Sequence, residues 1–127
     1  MSLIHAVEHQ FAVFLGRGVV TAAELKSRLA AVLATARLAE RPLLLFDLRE
    51  VVLLDLAHED LEELCQIVER GGPAAKGARF AIVTEADAVS HTAHGFAALA
   101  VALPIEVKLF REIVEARAWL AYAELAV

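Results

Sequence analysis

Two carboxylates, an arginine and a histidine form the first candidate site in this chain. Asp47 and Asp55 each end a short apolar run, Arg49 lies between them, and His58 follows three residues after Asp55. Ligands of open α/β sheets gather outside the carboxyl ends of strands, and we expect Asp47 at such an end. One interpretation is a polar site in which Arg49, Asp55 or His58 contacts a ligand or partner. The alternative is structural: Asp47 binds loop amides, Asp55 helps to cap the next helix, and His58 is solvated.

A second candidate is a set of metal-capable side chains at helical spacing. Asp87, His91 and His94 fall at positions i, i+4 and i+7, so one helix face would present all three. Zinc needs three or four ligands in a tetrahedral set, usually from more than one element, and no other Cys or Glu has a partner at a suitable spacing. We therefore expect a solvated helix face and no bound metal. Ser90 lies outside a nucleophile-elbow pattern, so we expect neither catalysis nor a cofactor.

Cys65 and Trp119 each allow a functional and a structural interpretation. Cys65 falls on the apolar stripe of a predicted helix, where a buried structural thiol is expected, because reactive cysteines need an electropositive and partly exposed setting. Trp119, with Leu120 and Tyr122, lies on the last predicted helix. An exposed aromatic face there would bind a partner or an apolar ligand. The alternative is that Trp119 fixes the terminal helix to a sheet.

Positioning these residues requires a sheet, and the hydrophobic pattern predicts five strands. They are expected at residues 3–8, 11–16, 43–48, 80–84 and 105–110. The first two strands are expected to form an antiparallel hairpin through His9 and Gln10. The apolar run that Asp55 ends, residues 51–54, is expected in a loop that leads to a helix. The remaining strands alternate with helices, which is typical of a mostly parallel sheet.

Four helices are predicted between and after the strands. The first begins at a capping box, Thr21 and Glu24, and ends before Pro42. The second follows Asp55. The third runs from about residue 88 to residue 102 behind a cap at Asp87, and the fourth from about residue 113 to residue 125. The sequence therefore predicts one α/β domain of β-β-α-β-α-β-α-β-α order spanning residues 1–127.

Composition limits the classes of function. A formal charge of -5 disfavours non-specific nucleic-acid binding, which needs clustered Lys and Arg, and it disfavours docking on anionic lipid head groups. One cysteine allows no intramolecular disulfide. The longest apolar run, residues 96–105, is about half a membrane span and contains Pro104. With no signal-peptide pattern at the N-terminus, we expect a cytoplasmic protein without a membrane span.

Two segments resemble a known family. The run LLFDLREVVLLD with a helix after it, and the C-terminal VKLFREIVEARAWL, are similar to the SpoIIAA-like branch of the STAS superfamily. The likeness extends from about Leu3 to Leu120. It implies a small sheet covered by helices that acts as a binding or regulatory module. Part of this fold group also resembles the CRAL-TRIO lipid carriers, which implies a pocket for an apolar ligand.

The resemblance also locates a regulatory position. Relatives that antagonise anti-sigma factors carry a phosphorylated serine at the start of the helix after the third strand. Their Asp-Ser-Ser-Gly falls on Asp55, Leu56, Ala57 and His58, where only the aspartate is kept. Without the two hydroxyls, the phosphorylation switch, which places charge at a helix terminus, cannot operate at these positions.

Two hypotheses follow from the sequence. The first is a non-enzymatic module that associates with a protein partner or with itself, as a dimer, through the surface near Asp55 and His58 or through the last helix. The second is a binder of a small apolar or lipid-like ligand, which requires a cavity between the third helix and the sheet. Oligomeric state and bound mass distinguish the two.

Overall fold

The computed structural model describes residues 2–8, 11–35, 42–71 and 77–125. The strands are β1 (Leu3–Glu8), β2 (Phe11–Thr21), β3 (Leu43–Asp55), β4 (Arg79–Thr84) and β5 (Glu106–Phe110). The helices are α1 (Ala22–Thr35), α2 (His58–Arg70), α3 (Asp87–Ala100) and α4 (Ile113–Leu125). The predicted hairpin loop at His9 and Gln10 and the predicted end of the first helix lie outside the described residues.

The strands form a single mixed sheet in the order β1-β2-β3-β4-β5. β1 pairs antiparallel with β2, and the other three pairings are parallel. The predicted α/β domain with an antiparallel N-terminal hairpin, a mostly parallel five-stranded sheet and four helices is confirmed. Because four neighbouring strands, β2 to β5, run in parallel, their carboxyl ends meet at one edge of the sheet, where the connections to α2 and α3 begin.

β3 is much longer than predicted, and the prediction that residues 51–54 form a loop is wrong. The strand continues to Asp55, beside a β2 that continues to Thr21. Two register shifts between β2 and β3 mark β-bulges, so Leu48, Val51 and Leu54 are all buried although they are three residues apart. A β-bulge adds one residue to one strand of a pair, so the strand continues while the alternation of its side chains between the two faces shifts by one residue.

The two long strands form a projection that we call the β2–β3 ribbon, residues 17–21 and 50–55. Pairing of β1 with β2 ends at Gly16, and pairing of β4 with β3 ends at Leu48, so the ribbon extends past both neighbouring strands. Gly16 allows the two strands to approach closely there, because a Cβ at this position would lie 2.8 Å from Cγ2 of Val51. Gly18 adopts φ +65°, a conformation that suits glycine.

Three helices cover one face of the sheet. The main core cluster joins apolar residues of α1, α2 and α3 to alternate residues of β1 to β4. Its centre is a row of phenylalanines from three adjacent strands and α3, with successive ring centroids 4.4, 5.6 and 6.2 Å apart: Phe14, Phe46, Phe80 and Phe96. The apolar stripes predicted for α1, α2 and α3 therefore face the sheet, and this face supplies most of the buried apolar surface.

Among the described helices, only α4 covers the opposite face. A second, smaller cluster joins Ala116 and Leu120 of α4 to buried residues of β3 and β4, with Val13 of β2 at its margin. The α4 side of β1 and of the β2–β3 ribbon is not covered by any described helix. The sheet therefore has one well-covered face and one partly open face, which we call the helix-rich face and the α4 face.

Candidate functional site

The connection from β3 to α2 presents the two residues that the sequence singled out most strongly. Asp55 is the last residue of β3, pairs in register with Thr21, and is exposed. His58 is the first residue of α2, is also exposed, and lies with Nε2 3.6 Å from Oε1 of Glu62 one helical turn later. The carboxylate of Asp55 has no ion-pair partner among the described residues. Asp55 and His58 thus form an accessible polar corner, and their role in partner contact stays a prediction.

Asp60, not Asp55, supplies the capping side chain of α2, so the structural alternative in which Asp55 helps to cap this helix is wrong. Ala57 is the N-cap residue, and its backbone N–H donates to Oδ2 of Asp60 at 2.8 Å. A carboxylate three residues into the helix satisfies an amide that would otherwise lack a partner. The sequence contains only half of a capping-box signal here, the acid three residues after the cap, because Ala57 has no hydroxyl.

Asp60 also joins an ion cluster that ties α2 to α1. Nζ of Lys26 donates to Oδ1 of Asp60 at 2.7 Å and to Oε2 of Glu63 at 2.6 Å. The hydrogen bond from Lys26 lowers the pKa of Asp60, and the bonds to Asp60 and Glu63 raise the pKa of Lys26. We call this contact the Lys26 clamp. This contact could not be predicted from the sequence, because Lys26 and its acidic partners lie on separate helices.

Asp47 lies inside β3, so its predicted position at the end of a strand is wrong. It pairs in register with Leu15 of β2 and Val83 of β4. Its carboxylate accepts two hydrogen bonds from the guanidinium of Arg49, both at 2.8 Å, and a longer one from the Arg49 backbone amide. The hydrogen bonds from the Arg49 side chain lower the pKa of Asp47 against the opposing effect of burial. Asp47 is therefore held ionised by its neighbour.

Trp119 packs against the smaller core cluster on the α4 face, on a different element from Asp55 and His58. It is half-buried on α4, its ring 5.8 Å from Phe110 of β5, and the guanidinium of Arg79 lies 5.0 Å from its ring centroid. Arg79 begins β4 and Phe110 ends β5, so Trp119 lies among side chains from the amino end of one strand and the carboxyl end of the next. A cation–π contact and aromatic packing are what a residue that anchors α4 to the sheet would make. Asp55 lies at the carboxyl end of β3, His58 begins α2, and Arg49 lies within β3.

The side chains at the start of α3 do not assemble a metal site. Asp87 is the first helical residue rather than the cap, which is Ala86, and its carboxylate lies 3.1 Å from Nη2 of Arg111. His91 and His94 are exposed on the helix. Within the described ranges, no three His, Cys, Asp or Glu side chains are grouped as metal ligands. Cys65 is half-buried, and burial is the main cause that raises the pKa of its thiol.

An apolar pocket lies between the helices and the helix-rich face of the sheet. Its volume is about 50 Å³, and its lining comes from α1, α2, α3, β3, β4 and the connection to α2. The lining residues are Leu25, Leu29, Phe46, Leu48, Leu54, Leu56, Leu61, Leu64, Phe80, Ile82, Thr92, Ala93 and Phe96. Thr92 is the one hydroxyl residue of the set, and its Oγ1 donates to the carbonyl oxygen of Ala88 at 3.2 Å. The pocket lies where the hypothesis of an apolar ligand requires one.

Comparison with known proteins agrees with this architecture. The SpoIIAA-like family model matches residues 12–121. The structure is similar to that of an uncharacterised protein of the DUF3478 family from Shewanella loihica PV-4, described as having a SpoIIAA-like fold, with a TM-score of 0.61 and 22% identity over 94% of each chain. No curated protein matches the sequence. No helix in the described part of the chain is long and apolar enough to cross a membrane.

The family model covers the polar corner, the apolar pocket and most of α4, and the similar solved structure shares the fold over 94% of the chain. The resemblance inferred from the two sequence segments is therefore confirmed, and the chain belongs to the SpoIIAA-like family.

Proposed function

We propose that this protein is a non-enzymatic binding module that holds a small apolar molecule in the pocket beneath α2. The observation that carries the proposal is the lining of that pocket, which offers carbon surface from six parts of the fold and no free polar group. A site of this kind recognises a ligand by burial of apolar area, worth about 25 cal/mol per Å². It has no means to orient a charged or strongly hydrogen-bonding substrate.

The size of the pocket sets a condition on the ligand. A volume of about 50 Å³ is well below the ~150 Å³ of an engineered apolar cavity that binds benzene. Any larger ligand therefore needs part of the lining to move. α2 is the element best placed to do so, because it packs on α1 and α3 and contributes Leu61 and Leu64 to the lining.

Two contacts hold α2 in place above the pocket. The Lys26 clamp ties it to α1. On the other side, a Cβ at Gly95 of α3 would lie 3.2 Å from Cδ1 of Leu61, so the absence of a side chain at Gly95 allows the two helices to approach. The exposed carboxylate of Glu63 makes part of the clamp sensitive to salt, because solvent-exposed ion pairs are screened. We expect ligand uptake to be faster at high ionic strength for this reason.

The regulatory position of the family adjoins the pocket. Leu56 and Ala57 stand where the antagonists of anti-sigma factors carry hydroxyls, and Leu56 is half-buried in the pocket lining. An apolar residue at this position adds to the carbon surface around the ligand. This replacement supports a module that responds to an apolar molecule in place of a phosphoryl group.

Native mass spectrometry of freshly purified protein tests the proposal, with decanoic acid as the added probe. We expect a bound mass in the purified sample or after addition of the acid. Ala93→Leu should prevent uptake, because Ala93 is buried in the lining and a larger side chain fills the space. Ala98→Leu is the matched control, since residue 98 is exposed on the same helix. A bare mass under all conditions, with no stabilisation by decanoic acid, would sink the proposal.

A second candidate function, protein–protein interaction, is favoured by a different observation. Three large apolar side chains, Val19, Val52 and Leu53, are exposed together on the β2–β3 ribbon, next to Asp55. Exposed apolar groups that lie together are typical of interaction surfaces. This surface is separate from the pocket, so the two functions can be tested independently.

A further inference from the structure

The α4 face leaves an apolar patch on the β2–β3 ribbon without a cover. Val20 and Leu54 are buried in the main core cluster, so their neighbours Val19 and Leu53 point to the opposite face. They are paired in register, with exposed fractions of 44% and 47%, and Val52 at the adjoining bulge is 66% exposed. We call Val19, Val52 and Leu53 the ribbon patch. No described part of the chain buries Val52 or Leu53. Packing within the chain therefore gives no reason for two large apolar side chains on this surface.

Charges of opposite sign bracket the ribbon patch along β3. Arg49 lies three residues before Val52 and Asp55 lies three residues after it. Arg49 is on the α4 face, since it bonds Asp47, whose carboxylate also feels the charge of Arg117 on α4. Asp55 is exposed and has no ion-pair partner in the described chain. The order along the strand is thus cation, apolar patch, anion.

We propose that the ribbon patch binds a second copy of this chain across a two-fold axis near Val52. The two β3 strands run antiparallel in this arrangement, so Arg49 of each copy lies beside Asp55 of the other. Arg49 and Asp55 are each three residues from Val52, so each lies about 10 Å from the axis at a rise of roughly 3.3 Å per residue. An isologous contact requires these two distances to be equal, because the same pair of residues meets twice. Val19 and Leu53 pack against their counterparts. The inference rests on the second candidate function and names its partner.

A second copy fits this surface better than the other classes of partner. Along β3 the order is arginine, apolar residues, aspartate. When a second β3 runs in the opposite direction, each arginine lies opposite an aspartate and the apolar residues meet. A nucleic acid or an anionic membrane would instead need clustered cations, whereas the two arginines of this region, Arg17 and Arg49, are outnumbered by the acids Asp47, Glu50 and Asp55. The patch is smaller than a standard interface of about 1,600 Å². We therefore expect a weak dimer with a dissociation constant on the order of micromolar or above.

Sedimentation velocity over a concentration series tests the proposal on the whole chain. The wild type should show a monomer–dimer equilibrium. Asp55→Arg should weaken the dimer about tenfold or more, because it sets two like charges together in place of an attractive pair. Glu59→Arg is the matched control: residue 59 is an exposed acid on α2, the change in net charge is the same, and dimerisation should be unaffected. Equal weakening by both variants would overturn the proposal.

Two further variants make the outcome decisive. Arg49→Glu combined with Asp55→Arg reverses both charges and should restore association relative to Asp55→Arg alone, with thermal unfolding used to confirm that the double variant is folded without the Asp47 contact. Val52→Glu changes an exposed side chain, should leave the fold intact, and should abolish the dimer. A wild type that stays monomeric throughout, or a dimer that survives Val52→Glu, overturns the proposed interface.

The failure of this proposal and that of the apolar pocket are distinguishable. Asp55 and Val52 do not line the pocket, so Asp55→Arg and Val52→Glu should bind decanoic acid as the wild type does. Ala93→Leu, in turn, should dimerise normally. Parallel loss of dimer and ligand binding in one of these variants would contradict the separation of the two surfaces and overturn the inference.

Discussion

The helix-rich face and the α4 face of one sheet differ in what they bury. The helix-rich face is closed by three helices over a row of four phenylalanine rings. The α4 face has one helix, a small cluster around Ala116 and Leu120, a charged pair at Asp47 and Arg49, and the exposed ribbon patch. The first face has the features of a stability core that encloses an apolar pocket. The second has the features of a surface that is free to associate.

This difference follows from the order of elements. α1, α2 and α3 all connect parallel strands and lie on the same face, whereas α4 alone follows the last strand and lies on the other. One helix covers about two parallel strands, at a strand spacing of roughly 4.8 Å and a helix diameter of about 10 Å. Five strands therefore exceed what α4 can cover. The uncovered part falls on β1 and on the ribbon.

The largest effect is expected from Phe80→Ala on the helix-rich face. Phe80 is 1% exposed and lies between the rings of Phe46 and Phe96. Loss of the ring should lower the free energy of unfolding by about 3–5 kcal/mol, measured by urea denaturation. Phe110→Ala is the matched substitution on the other face, where the ring is only half-buried, and should cost less. Equal losses would contradict the assignment of the helix-rich face as the main core.

A smaller loss is expected from Leu120→Ala, which removes the central side chain between α4 and the sheet. Leu120 is fully buried, so truncation should cost about 2–3 kcal/mol, the lower part of the range for such changes, because a cluster with few members near solvent can collapse around the cavity. Val114→Ala on the same helix is exposed and should change stability by less than about 0.5 kcal/mol. The urea midpoints of the two variants provide the comparison.

The order of elements was predictable because it depends on local periodicity. α1, α2 and α3 bury one apolar stripe each. Half of the predicted capping box forms, with the Glu24 amide donating to Thr21 Oγ1 at 3.3 Å, while the Glu24 carboxylate accepts from the Thr21 hydroxyl and the Ser2 amide. The length of β3 was not predictable from alternation. Its bulges bury Leu48, Val51 and Leu54 at a spacing of three, which no simple strand pattern contains.

Much less of the candidate site could be predicted. Sequence proximity was enough to place Asp55 and His58 at one exposed corner. The Lys26 clamp joins residues 34 positions apart, and the pocket is a space left between several elements, so both depend on tertiary packing that a single sequence does not specify. The ribbon patch could not be predicted for a related reason. Residues 51–54 have the pattern of a buried apolar run, and their partial exposure depends on where β1 and β4 end.

Acid should act on the α4 face through Asp47. The pKa of Asp47 is lowered in the folded protein, below its ordinary value of about 3.9. Its contribution to stability is therefore fully present above about pH 4 and is lost as the pH falls through the folded pKa. Asp47→Asn should be less stable than the wild type at pH 7, and the difference should shrink at pH 3. Urea midpoints at both pH values measure this.

Asp60 provides the control for this pH dependence. Its pKa is also lowered, chiefly by the hydrogen bond from Lys26, so the Asp47→Asn variant should retain part of the acid sensitivity of the wild type. Removing both carboxylates should flatten the dependence further. The difference in free energy of unfolding between the wild type and Asp47→Asn would stay constant from pH 7 to pH 3 if the packing of Asp47, and not its charge, stabilised the α4 face.

The smallest effect on the fold is expected from Val19→Thr, and it separates exposed apolar surface from core. Threonine keeps the β-branched shape that suits a strand, and a side chain 44% exposed has little burial to lose. At low protein concentration the free energy of unfolding should change by less than about 0.5 kcal/mol. At high concentration the proposed dimer stabilises the wild type by mass action, so the wild-type melting temperature should rise with concentration while that of Val19→Thr rises less. A loss above about 1 kcal/mol in dilute protein would assign Val19 to the core and make the α4 face a closed one.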